Sequence, residues 1–461
     1  MDVAKRTALL AALVVALTLG MMVLKVRITP WGSANTKSRF ATIQCLVEEQ
    51  TFAIDCSPYK ATMDRVRLDG ALYSSKPPLL SFAATSVYAT LSPLGFTLKD
   101  DEHVVVASTN ALFAVVPHAI FLLFFFRLLT LLGLSSLAVV LGMCAAGPGF
   151  LATGYATDLN NHSPAATLVV IALFYAWRAY QTHARGERAS SGDFAKAGLA
   201  AGVLPAIDLP SGAVSAAILL LLFVVDKRRA LLVFLPATLP GVLAHLALTY
   251  VSTGSIVPVY MRDDAYEYAT EPRRRPGFFE YTMNMLVGTH GIFSMTPTLF
   301  LGALAVVDTL RRDVERRTLA IGAIGVSIVL FVFYVVETHN YGGTCVGFRW
   351  AIAPAPIGLV FFALFVERAR ATLLTDDARG RALTAVVVLA VAVGSVHTLN
   401  ALDNPWQDSK WQRVLLGEPP PKPKKPRPPR AAPAPPPSTT SAPATLAVPV
   451  VDEAEAVAPA R

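Results

Sequence analysis

The chain has 461 residues, 54% of them hydrophobic and only 16% charged, with a mean hydropathy of +0.50 and a formal net charge of +8. That balance excludes an ordinary soluble enzyme and describes a polytopic membrane protein. The isoelectric point near 9.3 does not signal nucleic acid, because the positive charge gathers in short loops between apolar runs and in a proline-rich tail.

The first apolar run, Thr7 to Leu24 behind Lys5 and Arg6, exceeds a signal-peptide core, and no small-x-small site follows closely. It reads as an uncleaved signal anchor. Hydropathy predicts further spans at 103–126, 130–152, 163–180, 194–209, 211–226, 230–251, 292–310, 318–336, 348–367 and 382–399, about eleven in all. With the N-terminus cytoplasmic, the inside loops hold Arg127, Arg178 to Lys196, Lys227 to Arg229, Arg311 to Arg317 and Arg368 to Arg381. The alternation obeys the positive-inside rule and places the protein in the cytoplasmic membrane.

The outer side receives 26–102, a short loop at Asp158, the turn at Asp208, 252–290, the loop at His339 and everything after Thr398. Pro78 to Phe96 is long enough to cross, but crossing would invert every later loop. Its serines and threonines suit a helix lying at the interface. The expected class is therefore an all-α polytopic membrane protein with interfacial helices in the first outer loop. Residues 1–400 form the membrane domain and 401–461 a proline-rich, disordered outer tail. Cys45 and Cys56 share the first outer loop, where an oxidising compartment permits a disulfide, or they remain two buried thiols.

Ser38-Arg39-Phe40-Ala41-Thr42-Ile43, a stretch ending Gln50-Thr51-Phe52-Ala53-Ile54-Asp55, and Asp69-Gly70-Ala71-Leu72-Tyr73-Ser74-Ser75-Lys76-Pro77-Pro78-Leu79 carry a specific likeness. They resemble the first outer loop of the lipid A aminoarabinose transferases and their relatives. With the protein O-mannosyltransferases, these are polyprenyl-phosphate-sugar-dependent glycosyltransferases of the C-type fold. The motifs cover residues 35–80. The resemblance implies an inverting membrane transferase that moves a sugar from a polyprenyl phosphate carrier to an envelope acceptor at the outer face. It implies that Lys76 binds the carrier phosphate, Tyr73 lines that pocket, Arg39 organises the loop and Pro77-Pro78 starts the interfacial helix. Headgroup snorkelling competes for Lys76, and interfacial anchoring for Tyr73.

The sequence departs from that family just before the arginine motif, where an acidic pair is expected and Thr36 and Lys37 stand. Transfer still needs a carboxylate to take the acceptor proton while cations hold the leaving phosphate. Asp158, Asp69 and Asp64 are the candidate acids. Asp158 is preferred because it opens the polar run Asp158-Leu159-Asn160-Asn161-His162, with Asn161 and His162 as candidate substrate-binding residues; helix capping is the competing reading. Asp69 sits in a Leu-Asp-Gly turn pattern, and for Asp64 a solvated loop acid is the default reading.

Two later outer segments are candidates to complete the pocket: His290 in Gly288-Thr289-His290-Gly291, and Arg349 beside Trp350. Arg262 and Arg273-Arg274-Arg275 offer guanidinium groups to phosphate or simply meet solvent. His162, His290 and His339, with Asp158 or Glu337, make a divalent metal possible, although separated histidines are more often hydrogen-bonding residues. No cofactor is otherwise implied, and no Walker-type loop occurs. The expected partners are a polyprenyl-phosphate-linked sugar and membrane lipid. A flippase or transporter of lipid-linked sugars is the alternative, since it needs no base, and a wall-contacting scaffold is a third class.

Overall fold

A computed structural model of the chain describes residues 2–262, 277–338 and 340–410. The proline-rich tail beyond Lys410, Arg273 to Arg275 and His339 lie outside the described residues. The chain divides into Met1–Gly417 and Glu418–Arg461, and every described helix and strand belongs to the first unit.

Helices dominate, as continuous apolar runs demand, because a helix satisfies its own backbone where no water can. The first is α1 (Val3–Lys25), followed by α2 (Ala34–Glu48), a hairpin of β1 (Arg65–Leu68) and β2 (Ala71–Ser74), and α3 (Pro78–Leu91). Next, α4 (Glu102–Asn110) continues through a π-type turn into α5 (Val116–Leu131), and α6 (Ser136–Ala146) and the short α7 (Leu151–Tyr155) precede α8 (His162–Ala184) and α9 (Ser191–Ile207). Then come α10 (Gly212–Val225), and α11 (Lys227–Arg229) running into α12 (Leu235–Thr253). The last group is α13 (Phe278–Leu286), α14 (Ile292–Met295), α15 (Pro297–Arg312), α16 (Arg317–Glu337), α17 (Ala355–Leu373) and α18 (Ala378–Asp403).

Among the described residues, five helical segments are long and apolar enough to cross a membrane: Val3–Lys25, Glu102–Leu131, Lys227–Thr253, Arg317–Glu337 and Ala378–Asp403. The other predicted spans meet helices that are shorter, less apolar or more charged. The run after Pro77 is not among the five. Its helix α3 packs on α2 and touches α12, leaving Phe82 exposed.

A two-stranded hairpin is the one sheet among the described residues. Val66 and Leu68 are buried while Arg67 between them is exposed, the period-two pattern of a half-buried strand. Leu68 pairs with Ala71, so Asp69 and Gly70 form a two-residue turn with φ of 49° and 85°. Both positive values suit a type I′ turn, which Asp-Gly adopts readily. Four residues per strand in a mostly apolar chain are easily read as loop.

Glycines let α12 reach the site. A Cβ on Gly241 of α12 would meet the backbone of Gly202 of α9 at 2.5 Å, so the two helices cross at close range. This contact fixes where α12 ends, and Thr249, Ser252 and Thr253 at that end face the connection between α1 and α4.

Candidate functional site

Helix α2 is the platform. Ser33 caps it by accepting a hydrogen bond from the Thr36 backbone amide at 3.3 Å. One turn on, Ser38 Oγ donates to the Asp64 carbonyl at 2.6 Å and lies 2.6 Å from Ser74 Oγ, while the Ser75 amide donates to the same Asp64 carbonyl at 3.1 Å. These bonds hold the end of β2 against the Asp64 loop and deliver Lys76 to its place. Proline at 77 and 78 then starts α3, because fixed φ and a missing N–H suit a first helical turn.

Lys76 Nζ lies 3.1 Å from Asp64 Oδ2, with the two side chains 20% and 26% exposed. The ammonium is therefore paired yet accessible. Burial lowers its pKa, and Arg349 and Arg39 push the same way, against Asp64. Burial pulls the Asp64 carboxyl upward, but Lys76, Arg349 and Arg39 together hold it below the ordinary carboxylate range. Three cations thus act on Asp64, and Asp208 acts on Arg39 as well.

Lys76 and Tyr73 line an open hollow of about 440 Å³, mouth included, together with Phe52, Pro77, Ser81 and the end of α12. Phe52 stacks on Phe82 of α3 at 6.5 Å, so an aromatic wall runs from the lysine toward the exposed apolar side of α3. A cation, hydroxyls and an apolar exit occur together, as an amphiphilic anion requires.

Behind the hollow is a buried polar network. Arg39, fully buried, donates from Nε to Asn35 Oδ1 at 2.9 Å and from Nη2 to Asn161 Oδ1 at 3.3 Å. Its pKa is held down to about 10 by burial, opposed by the charges of Asp64 and Asp208. Asn161 Nδ2 donates to Asp208 Oδ1 at 2.7 Å, and His162 Nδ1 lies 3.4 Å from the same oxygen. Ser211 Oγ donates to Asp208 Oδ2. Among the described residues, Arg39 Nη1 and Arg349 Nε have no hydrogen-bond partner although both are buried.

Asp158 is 2% exposed. Its Oδ2 accepts from Thr36 Oγ1 at 2.8 Å and from the Trp406 indole N–H at 2.5 Å, and Oδ1 accepts from the Leu159 amide at 3.0 Å. Burial pushes its carboxyl up to about 6 despite those donors. Thr36 stands where the resemblance expects an acid, and its hydroxyl meets the Asp158 carboxylate from across the bundle. Lys37, at the other such position, holds its ammonium 4.3 Å above the Trp31 ring. Arg349 stacks over the far side of this group, 5.2 Å from the Trp406 ring centre.

The structure thus brings Lys76 and Tyr73 to the hollow, with Asp64 paired to Lys76, and Arg39, Asn161 and His162 to the buried network. Asp158 and Arg349 meet at Trp406, and neither lines the hollow. Asp69 is exposed in its turn. His290 stacks on Tyr341 at 4.9 Å, apart from His162. Among the described residues no group of three or more His, Cys, Asp or Glu side chains is placed to hold a metal ion.

Sequence reasoning passed over Asp208, Asn35, Trp406 and the end of α12. Asp208 carried a usable signal: an acid between Ile207 and Leu209 at a helix end needs buried partners. Trp406 carried none.

These helices build a polytopic membrane-protein fold that solved structures share. The particular structures it resembles are those of ArnT from Cupriavidus metallidurans. The form bound to undecaprenyl phosphate aligns at a TM-score of 0.54 with 14% identity, over 85% of this chain and 75% of that one. The apo form aligns at 0.54 with 12% identity over the same shares. An oligosaccharyltransferase from Archaeoglobus fulgidus aligns at 0.47 with 14% identity, over 88% of this chain and 57% of its own. No protein-family model and no curated protein matches this sequence.

Proposed function

We propose that this protein is an integral-membrane glycosyltransferase that moves a sugar from a polyprenyl phosphate carrier to an envelope acceptor at the outer face of the cytoplasmic membrane. The carrying observation is the paired but accessible Lys76 ammonium at the wall of a hollow whose aromatic side leads to exposed apolar surface. The fold shared with an ArnT that binds undecaprenyl phosphate supports a lipid phosphate as its ligand.

In this reading the carrier phosphate sits against Lys76, with the charges of Arg39 and Arg349 behind it. The acceptor's hydroxyl or amine attacks the anomeric carbon, the bond from that carbon to the phosphate oxygen breaks, and the phosphate leaves on its lipid. Negative charge grows on that oxygen, and fixed cations stabilise it most at that moment. Asp158 is the acid assigned to the acceptor proton, because a carboxyl near 6 is ionised at neutral pH and still basic. Asp158 is buried, lies off the hollow and already accepts three hydrogen bonds, so this role requires an opening at Trp406 or Thr36 that admits the acceptor.

The second reading, a translocator of lipid-linked sugars, is favoured by Thr36 and Lys37 where acids are expected. Proteoliposomes with a labelled polyprenyl phosphate sugar and envelope-lipid acceptors separate the two. The transferase reading expects product, lost in Asp158→Asn while carrier binding persists, and binding more than about tenfold weaker in Lys76→Ala, since a hydrogen bond to a charged group contributes roughly 1.5–3 kcal/mol. Headgroup translocation without product overturns it in favour of the translocator.

A further inference from the structure

Cys45, in the last turns of α2, is disulfide-bonded to Cys56, with Cα atoms 5.9 Å apart. What the bond holds is the free edge of the hairpin. Ala53 bridges to Tyr73, the Ile54 amide donates to the Leu72 carbonyl at 2.7 Å, and the Leu72 amide donates to Asp55 Oδ2 at 2.8 Å. Residues 53–55 therefore act as a third strand along β2, and β2 runs directly into Ser75 and Lys76. Beside the disulfide, Ser57 Oγ donates to Gln44 Oε1 at 2.8 Å, a second tie between the same two segments. The opposite edge of β2 pairs with β1, and Ser38 of α2 holds the Ser74 hydroxyl. The strand that delivers Lys76 is thus tied to α2 through Ser74 and through residues 53–55, and the second of these segments is joined to the helix covalently at Cys56.

We propose that the Cys45–Cys56 disulfide is a positioning element for the Lys76 ammonium, so that affinity for an isoprenoid monophosphate depends on the oxidation state of this pair. The inference rests on the carrier reading above. One isolated main-chain bridge and one carboxylate hold residues 53–55 to β2, and an edge strand that short frays unless its far end is anchored. A frayed edge widens the range of places the lysine samples, and binding then has to order it. Cys144 and Cys345 are free thiols away from this loop, so the reductant's effect is separable by substitution.

The test measures undecaprenyl phosphate binding to the full chain in lipid nanodiscs. It compares oxidised wild type, wild type reduced and then reoxidised, the double variant Cys45→Ser/Cys56→Ser, and Lys76→Ala, with helix content followed by circular dichroism. Expected are binding by the oxidised protein, about tenfold weaker binding on reduction, recovery on reoxidation, and the weak value in the double variant with or without reductant. Helix content stays the same throughout. Wild-type binding that is lost in Lys76→Ala but unchanged by reduction overturns this inference and leaves the carrier reading standing. A weakening that comes only with lost helix content, or a double variant that still responds to reductant, overturns it too. Oxidised protein that binds no undecaprenyl phosphate removes the carrier reading itself.

Discussion

Lys76 shows how a charge is kept useful at the rim of an apolar bundle. A full desolvation would strip its proton, and a tight buried pair with Asp64 would use up its charge. With both side chains about a quarter exposed or less and two guanidinium groups nearby, the ammonium keeps a partner without being neutralised by it. Asp158 is the opposite case, an acid made more basic by burial. Its pKa rises from 3.8 to about 6, so the folded state favours the protonated form. Folding therefore loses stability as pH climbs from about 4 to about 6, and no more above that. On the proposed transferase reading, in which ionised Asp158 takes the acceptor proton, transfer is expected to rise with pH through about 6. A pH–rate profile in proteoliposomes checks this, and a limb unchanged in Asp158→Glu would dissociate it from this carboxyl. Arg39→Ala is expected to lower stability by roughly 2–3 kcal/mol, because it strips charged hydrogen bonds from Asn35 and Asn161 in a buried network. Thermal unfolding in detergent reads that loss.

At the scale of elements, the site depends on two unlike contacts. The hairpin is fastened to α2 by hydroxyl and main-chain bonds, and α12 is brought alongside by glycine packing against α9. The second contact has no slack, since the atoms opposite Gly241 are backbone. Gly241→Ala is expected to cost about 1–3 kcal/mol, the usual range for overpacking. It should also widen the hollow by displacing Thr249, Ser252 and Thr253, so a lower Tm should accompany weaker undecaprenyl phosphate binding. Gly322→Ala in α16 is the control, because a Cβ there meets nothing within 4 Å.

For the whole molecule, the predicted orientation puts the hairpin, the hollow and the Asp158 network on the non-cytoplasmic side. The Cys45–Cys56 bond agrees with that side, since disulfides persist in oxidising compartments. A membrane-impermeant thiol reagent applied to intact cells, after mild reduction, should label Cys45 and Cys56, whereas labelling only after lysis would reverse the orientation. The proline-rich tail has the composition of a spacer. Deletion of residues 418–461 should leave carrier binding within about twofold of the full chain, because such a sequence buries no core. Loss of binding on that deletion would give the tail a part in the site.

Much of this architecture was readable in one dimension because membranes impose a one-dimensional code. Helices follow from apolar length, and loop charge with the hydroxyl residues leads one to expect the run after Pro77 at the interface. The run from Asp69 to Lys76 carried local signals as well, in the Asp-Gly turn and the proline pair. What the chain order could not convey is which loops meet. Thr36 and Trp406 converge on Asp158 across 122 and 248 residues. Asp208 joins Asn161 over 47, and the end of α12 closes a hollow opened by residues 42–81. Hydropathy records only whether a segment prefers lipid, and it is silent about the partner a buried polar group finds. Those pairings were decided by tertiary packing, because the cost of an unsatisfied charge or amide is settled by whichever group the folded bundle brings within hydrogen-bond reach.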